Sequence, residues 1–207
     1  MSVLERLASA LGRRDEAPNQ QLAAELAHQA NIMAIAELAA NLQNKNKDIQ
    51  SDCIKVLYEI GAIKPELITP FANEFASLLQ SKNNRLQWGA MTALNTITNQ
   101  IPQLIFENLG NLISIAEKGS VITRDNLMSI LTKLMATPMY ANDALLLFNE
   151  QLLKAPVNQL PMYAENALPV VKDLLKDDFV HILQSRLHDI DKESKRKRVE
   201  KVLRKLV

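Results

Sequence analysis

An apolar stripe that recurs every 37 residues constrains the fold of this chain more than any other sequence feature. Within each copy, the apolar positions follow the first by 4, 7, 8 and 11 residues, which places them on one side of an α-helix. One such helix cannot bury its stripe alone, so the pattern predicts stacked repeats that share a continuous core. The four copies are Ile49, Cys53, Val56, Leu57 and Ile60; Leu86, Ala90, Ala93, Leu94 and Ile97; Thr123, Leu127, Ile130, Leu131 and Leu134; and Leu160, Ala164, Ala167, Leu168 and Val171.

A second helical segment is predicted upstream of the stripe in each repeat. Pro65 and Pro102 begin two of these segments, and proline is well tolerated in the first turn of a helix. Short polar turns, residues 81–84 (SKNN) and 117–120 (EKGS), separate these segments from the stripes that follow. The predicted repeat unit is therefore a helix, a tight polar turn and a second helix that carries the stripe.

The composition favours an all-α fold and limits the function classes. Aromatic residues make up only 4% of the chain, and the residues that suit a pleated sheet are scarce. The net charge of +1 does not require a nucleic acid or an anionic membrane as partner. The single cysteine, Cys53, allows no internal disulfide, and no apolar run approaches the roughly 18 residues that span a bilayer. We therefore expect a cytoplasmic protein without a membrane segment.

Two of the stripe helices resemble the second helix of HEAT repeats, which opens with Val-Arg and continues with an Ala-Ala-x-x-Leu-type run. The first is RLQWGAMTALNTI (residues 85–97), and the second is ITRDNLMSILTKL (residues 122–134), in which Thr123 and Arg124 occupy the Val-Arg positions. The resemblance covers roughly residues 31–171. It implies an all-α fold, a right-handed α-solenoid of about five HEAT-like helix pairs with amphipathic capping helices at both ends.

The chain departs from the HEAT pattern at three positions. Gln50 and Gln87 stand where the family has an arginine. Pro161 lies inside the fourth copy, where we expect it to break the stripe helix.

We expect a single domain over residues 1–207, with capping elements at both ends of the repeats. Residues 1–30 are predicted to form N-terminal capping helices, residues 31–171 the core repeats of period 37, and residues 172–207 a C-terminal repeat with a basic capping helix. The basic face of that last helix is either solvated or binds nucleic acid, anionic lipid or an acidic protein. The apolar face predicted for it consists of Val199, Val202, Leu203 and Leu206.

The residue types that carry catalysis or bind metals do not form a recognisable constellation in this sequence. His181 and His188 are seven residues apart, whereas chelation from one helix prefers a spacing of three or four. Cys53 falls on the buried stripe and is interpreted as a core thiol. The acidic pairs at residues 15–16 and 177–178 lie in a loop and at a helix start. We therefore predict no enzyme activity, no catalytic residue, no metal site and no cofactor.

Trp88, the only tryptophan, projects away from the stripe, and Gly89 beside it is predicted to mark a close approach of two helices. The HEAT resemblance implies that the second helices line a concave face, with corresponding positions aligned across it. Trp88 then either anchors a partner or packs over Gly89 or a neighbouring turn. The candidate partner-binding residues are Trp88, Tyr58, Lys55, Asn95, Asp125, Arg124 and Met162.

Three functions remain open at this point. The first is a noncatalytic scaffold or adaptor that binds a protein partner along the concave face. The second, implied by resemblance to HEAT-like alkylpurine DNA glycosylases, places a damaged base against Trp88 and Asp125, although the surface has few basic residues for DNA. The third is an assembly adaptor that homodimerises through its end faces; the oligomeric state is not predicted. In the glycosylase reading, phosphates would be held by Arg85, Arg124 and Lys82.

Overall fold

The computed structural model describes residues 2–171 and 176–206 of the chain, and these contain twelve α-helices and no strand. Contacts divide the chain into two compact units, Met1–Asn126 (unit 1) and Leu127–Val207 (unit 2). Short 3-10 helices lie at Val3–Arg6, Asn41–Gln43, Pro65–Leu67, Thr69–Phe71 and Leu187–Asp189. The α-helices are α1 (Ala17–Gln29), α2 (Ile32–Ala40), α3 (Lys47–Ile63), α4 (Ala72–Leu78), α5 (Asn84–Ile97), α6 (Pro102–Glu107), α7 (Leu109–Lys118), α8 (Val121–Met135), α9 (Ala141–Lys154), α10 (Leu160–Val171), α11 (Asp177–Arg186) and α12 (Glu193–Leu203).

The predicted repeat is confirmed by where the helices begin and by which residues they bury. Helices α3, α5 and α8 begin at Lys47, Asn84 and Val121, which are 37 residues apart. The stripe residues of all four copies are buried, except for Ile49 and Leu168, which are half-buried. Burial of the same positions in successive copies is what a repeat with a shared core requires.

The turns before α3 and α5 are stabilised by side chains that recur with the repeat. Asn46 and Asn83 cap α3 and α5, each accepting a hydrogen bond from a backbone N–H in the first turn, at 2.8 and 3.0 Å. The amides of Gln50 and Gln87 donate to carbonyl oxygens of the preceding turn, at 2.7 and 3.0 Å. The glutamines that replace the family's arginine therefore close the turn.

The upstream helices begin at the predicted prolines but are interrupted. Pro65 starts a 3-10 helix, and the α-helical part of that segment, α4, begins only at Ala72. Pro102 starts α6, which is separated from α7 by Asn108. A second proline, Pro70, has no N–H to donate and explains the first interruption.

Helices α3 and α5 pack closely because two glycines leave room for the opposite helix. A Cβ atom on Gly89 would lie 2.8 Å from Ile54 Cγ1, which confirms the close approach expected beside Trp88. A Cβ atom on Gly61 would lie 2.3 Å from Thr96 Oγ1 and 2.5 Å from Ile68 Cδ1. Gly61 lies inside α3 rather than at its end, so its role is close packing and not helix termination.

The N-terminal segment differs from the first capping helix that we expected. Val3–Arg6 forms one 3-10 helix and is followed by turns. Side chains from other elements replace the carbonyl acceptors of a helix here, because Ala8 N donates to Asn19 Oδ1 at 2.9 Å and Ser9 N to Asp52 Oδ2 at 2.8 Å. Gly12, with a φ of 66°, then reverses the chain towards α1.

In unit 2, α10 packs against α9 and α12, and α11 packs against the same two helices. The rings of Phe148 on α9 and Phe179 on α11 lie 6.2 Å apart, centroid to centroid. Arg186 at the end of α11 donates through Nη1 to three carbonyl oxygens at the end of α9, at 2.7, 3.0 and 3.1 Å. These carbonyls lie at the C-terminal end of α9, where the helix does not continue; Leu152 O also accepts from Ala155 N at 3.3 Å.

The C-terminal part bears on three expectations from the sequence. Pro161 does not break its helix, because it lies in the first turn of α10, where no N–H is required. The first residues of the predicted C-terminal repeat, 172–175, lie outside the described residues. The apolar face predicted for the capping helix is confirmed, since Val199, Val202, Leu203 and Leu206 are at most 9% exposed.

Candidate protein-binding surface

Three of the predicted site residues lie together on the outside of the α3–α5 pair in unit 1. Lys55 and Tyr58 belong to α3, and Trp88 belongs to α5. The rings of Tyr58 and Trp88 are 5.9 Å apart and inclined at 52°, a favourable geometry for two aromatic side chains. Tyr58 is buried, whereas Trp88 is only half-buried. Trp88 therefore packs on Tyr58 and still presents part of its indole at the surface.

Lys55 is the buried cation of this surface and is only 6% exposed. Its Nζ lies 2.6 Å from Glu16 Oε2 and 2.7 Å from Glu59 Oε1, and 5.0 Å from the centre of the Tyr58 ring. Burial acts to lower the pKa of Lys55, but the hydrogen bonds to the two glutamates outweigh it and raise that pKa above its ordinary value. The ammonium group stays charged and is neutralised within the protein.

Glu16 joins three elements at this surface and was not recognised as part of it from the sequence. Besides Lys55, it binds Arg85 on α5, with Oε1 and Nη2 3.2 Å apart. We call Glu16, Lys55, Tyr58, Arg85 and Trp88 together the Trp88 surface. The sequence indicated only an acidic residue in the loop before Pro18, and no pattern links position 16 to position 55.

A polar hollow of about 410 Å³ adjoins the Trp88 surface. It lies between the N-terminal turns and the first turns of α3 and α5, and both Glu16 and Arg85 line it. Ser51, which occupies in α3 the position that Trp88 occupies in α5, lines it as well. The two equivalent repeat positions thus have different surroundings. Ser51 borders a polar hollow, whereas Trp88 presents an aromatic ring at the surface.

Thr92 and Asn95 lie one and two turns beyond Trp88 on the same helix and take part in a network of polar side chains. Thr92 Oγ1 donates to the carbonyl oxygen of Trp88 at 2.8 Å, and it accepts from Asn126 Nδ2 at 3.0 Å. Asn95 Nδ2 donates to Asn126 Oδ1 at 2.8 Å. These bonds tie α5 to the first half of α8 within unit 1 and hold the backbone that carries Trp88.

The remaining predicted residues occupy other environments. Arg124 Nη2 donates to the carbonyl oxygen of Glu117 at 3.5 Å, closing the turn before α8 as Gln87 does before α5. Asp125 is half-buried in the first turns of α8. Met162 is half-buried on α10, which belongs to unit 2. The structure therefore brings Lys55, Tyr58 and Trp88 together and does not add Arg124 to them.

The groups considered for catalysis or metal binding have ordinary structural settings. Burial raises the pKa of the Cys53 thiol to about 12, so this core cysteine is not an activated nucleophile. His28, His181 and His188 are all exposed. Among the described residues, no group of three or more histidine, cysteine or acidic side chains is arranged to hold a metal ion. None of the helices described is long and apolar enough to cross a membrane.

Much of the positive charge on α12 is exposed, and part of it is paired. Arg198 forms a two-point contact with Glu165, at 2.5 and 2.8 Å, and Lys197 pairs with Glu193 at 2.6 Å. The Glu165 hydrogen bonds raise the pKa of Arg198 further, and both side chains are 38–45% exposed. The cations that remain on the outer face, all exposed, are Arg196, Lys201, Arg204 and Lys205.

Comparison with solved structures identifies the fold. A designed armadillo repeat protein in complex with the peptide (KR)4 matches with a TM-score of 0.66 and 15% identity, over 100% of both chains. A second designed armadillo repeat protein matches with a TM-score of 0.64 and 15% identity, over 99% of this chain and 100% of that one. The chain has an armadillo-like α-helical repeat fold.

A third match to this armadillo-like repeat is an engineered protein solved by the Northeast Structural Genomics Consortium. Its TM-score is 0.62 at 18% identity, over 100% of this chain and 97% of that one. No sequence-family model and no curated protein sequence matches the chain. The three structural matches confirm the prediction of a HEAT- or armadillo-like repeat, and at 15–18% identity they establish the fold alone.

Proposed function

We propose that this armadillo-like repeat chain is a noncatalytic scaffold that binds a partner protein through the Trp88 surface. The observation that carries the proposal is the partly exposed Trp88 indole, held in place by the Tyr58 ring 5.9 Å away. Tryptophan and tyrosine are the residues that most often dominate the free energy of protein binding. An aromatic ring that is already packed loses little conformational freedom when a partner covers it.

The electrostatics of the Trp88 surface favour a protein segment over a polyanion. Lys55 and Arg85 are the two cations of this surface, and both are bound to Glu16. A DNA backbone would require these cations to be available for phosphates. The glycosylase-like alternative would use Arg85 for that purpose, so the pairing with Glu16 weighs against it.

Two further observations support a peptide-like partner. One of the solved structures with the same fold is a complex with the peptide (KR)4, so the fold can present a surface to a peptide. In this chain, side-chain hydrogen bonds through Thr92 and Asn126 hold the backbone behind Trp88, which keeps the surface preorganised. The partner would be met in the cytoplasm, the location that suits a single buried cysteine.

The proposal is tested by recovering partners on immobilised chain and comparing wild type with Trp88→Ala. We expect recovery of a specific partner to fall by about tenfold or more, the loss typical of an aromatic anchor. Met139→Ala serves as the matched control, because Met139 is 79% exposed and is not one of the residues of the Trp88 surface. Since Trp88 is the only tryptophan, its fluorescence also reports directly on binding of the recovered partner.

Two other outcomes would replace this proposal by an alternative. Unchanged partner recovery by Trp88→Ala would remove Trp88 as the anchor. Tight binding of duplex DNA at low ionic strength, lost as salt is added, would support the glycosylase-like reading instead. A mass in light scattering that rises with concentration from one chain to two would support the homodimeric adaptor.

A further inference from the structure

A groove between α9 and α11 in unit 2 has features that no part of the proposed scaffold function uses. It encloses about 400 Å³ and is lined by one face of each helix. Leu146 and Leu153 on α9 border it, and these side chains are 59% and 52% exposed. They are seven residues apart, so they lie on the same face of α9 and about 10 Å apart along its axis. Ile182 on α11 completes the aliphatic lining.

Two acidic residues line this groove, together with the imidazole of His181. Glu150 and Asp178 line it from α9 and α11, and both are exposed. Within residues 2–171 and 176–206, neither carboxylate has an ion-pair or hydrogen-bond partner. This contrasts with the Trp88 surface, where Glu16 and Glu59 are already bound to Lys55. A cation brought by a partner would therefore find two free acceptors beside exposed aliphatic side chains.

The same groove also contains a buried side-chain amide, that of Asn149. Asn149 lines the groove between the two leucines and is 6% exposed, yet its Oδ1 has no hydrogen-bond partner among the residues that the structure describes. A buried acceptor left without a donor costs on the order of 1–3 kcal/mol, so such atoms are rare in folded proteins. A donor supplied by a bound partner would remove that cost.

We propose that this α9–α11 groove binds an amphipathic helix of a partner protein, with aliphatic side chains over Leu146 and Leu153 and lysine or arginine beside Glu150 and Asp178. Both walls of the groove are α-helices, so an extended strand would find no sheet edge to join. A helix satisfies its own backbone and offers apolar side chains at intervals of three, four and seven residues, which matches the spacing of the two leucines.

The chain's own basic helix is not the occupant. The apolar residues that α12 would have to offer, Val199 and Val202, are 0% and 2% exposed in its own unit. The occupant is therefore a segment of another protein chain. Glu150 and Asp178 favour a segment with basic side chains. This proposal does not depend on the Trp88 surface, which lies in unit 1.

The test uses the full chain and a synthetic amphipathic peptide of leucine and lysine, about 14 residues or four helical turns long. A matched peptide carries glutamate in place of lysine. Binding is measured by fluorescence anisotropy of the labelled peptide, and its location by amide hydrogen exchange. We expect the lysine peptide to bind more tightly than the glutamate peptide and to protect α9 and α11.

Variants of the groove then separate the apolar contribution to peptide binding from the electrostatic one. Leu146→Ser combined with Leu153→Ser should weaken binding of the lysine peptide by about tenfold or more, whereas Leu11→Ser, at a leucine 54% exposed in unit 1, should leave it unchanged. Glu150→Lys combined with Asp178→Lys should reverse the preference towards the glutamate peptide. All these side chains are exposed, so the variants are expected to fold, which circular dichroism checks.

Three results would overturn the proposal. Equal binding of the two peptides by wild type would show that Glu150 and Asp178 play no part. Protection confined to helices other than α9 and α11 would place the site elsewhere. A chain that self-associates, and stops doing so when Leu146 and Leu153 are replaced, would show that the occupant is a second copy.

Discussion

The helix pairs α3–α5 and α9–α11 reach close packing by opposite means. Between α3 and α5, Gly61 and Gly89 remove side chains, and the helices approach until a Cβ atom would collide. Between α9 and α11, Phe148 and Phe179 fill the contact with two rings 6.2 Å apart. The comparison shows that one repeat fold tolerates both solutions, provided that each pair fills its own interface.

The difference also decides what each pair presents at its outer surface. The close approach of α3 and α5 brings Tyr58 and Trp88 within ring contact, and ion pairs to Lys55 satisfy the charges beneath them. The ring-filled contact of α9 and α11 leaves Leu146 and Leu153 exposed on the α9 side of a groove. One surface is therefore aromatic and internally neutralised, and the other is aliphatic with free carboxylates.

Removing a ring from the α9–α11 pair should have the largest effect. Phe148 is 0% exposed, so Phe148→Ala should lower the free energy of unfolding by about 3–5 kcal/mol through lost burial and the cavity left behind. Urea unfolding followed by circular dichroism measures the change, and Met139→Ala provides an exposed control. A loss below about 1 kcal/mol would show that the ring contact does not hold this pair together.

Adding one methyl group to the α3–α5 pair should also lower the free energy of unfolding, but by less. Gly61→Ala places a Cβ atom 2.3 Å from Thr96 Oγ1, and overpacking of this kind costs about 1–3 kcal/mol. The better helix propensity of alanine returns up to about 1 kcal/mol, so we expect a net loss of about 1–2 kcal/mol in the free energy of unfolding.

Gly110 offers a matched control for this substitution. It lies in α7, and a Cβ atom there would meet nothing within 4 Å. Gly110→Ala should therefore stabilise the chain by about 0.5–1 kcal/mol. If both alanine variants were equally stabilising, glycine would not be needed for the approach of α3 to α5, and the comparison would fail.

The smallest expected effect concerns the thiol beneath the α3–α5 pair. Cys53 has its folded pKa raised from 9.0 to about 12, so the folded state keeps the proton where the unfolded state loses it. The contribution of Cys53 to the free energy of unfolding is fully present below pH 9 and is lost as the pH rises from 9 towards 12. Between pH 8 and pH 10 the loss should be about 1 kcal/mol.

Cys53→Ala is the control for this pH dependence, because alanine occupies the equivalent position, Ala90, in the next repeat. The difference in the free energy of unfolding between wild type and this variant should shift against wild type as the pH rises from 8 to 10. A difference that stays constant over that range would mean that the thiol is not protected from ionisation in the folded state.

Much of the fold could be predicted, because each stripe is a local pattern of one helix. The spacing of Ile97 from Leu86 and Ala90 needs only the geometry of the α-helix to indicate a buried face. Proline at the start of an upstream helix is equally local, and so is the apolar side of the last helix. The N-terminal turns were not predictable in this way, because their hydrogen bonds run to Asn19 and Asp52 rather than along the segment.

The candidate site could be predicted only in part. Tyr58 and Trp88 were expected on one surface because the stripe helices were predicted to line a common face, and their rings lie 5.9 Å apart. Arg124 was expected there as well, but its side chain closes a turn by binding the carbonyl oxygen of Glu117. A long side chain can reach several acceptors from the same backbone position, so sequence position alone does not settle its partner.

The sequence by itself determined the period of 37 residues, the helical stripes and the absence of a disulfide, since these depend on residue order alone. Tertiary structure decided that Glu16 binds both Lys55 and Arg85, and that Gly61 is a point of helix contact. It also decided that Asn149 is buried without a donor from residues 2–171 and 176–206. Each of these depends on how far apart two distant segments come to lie, and that distance is set by the packing of the whole unit.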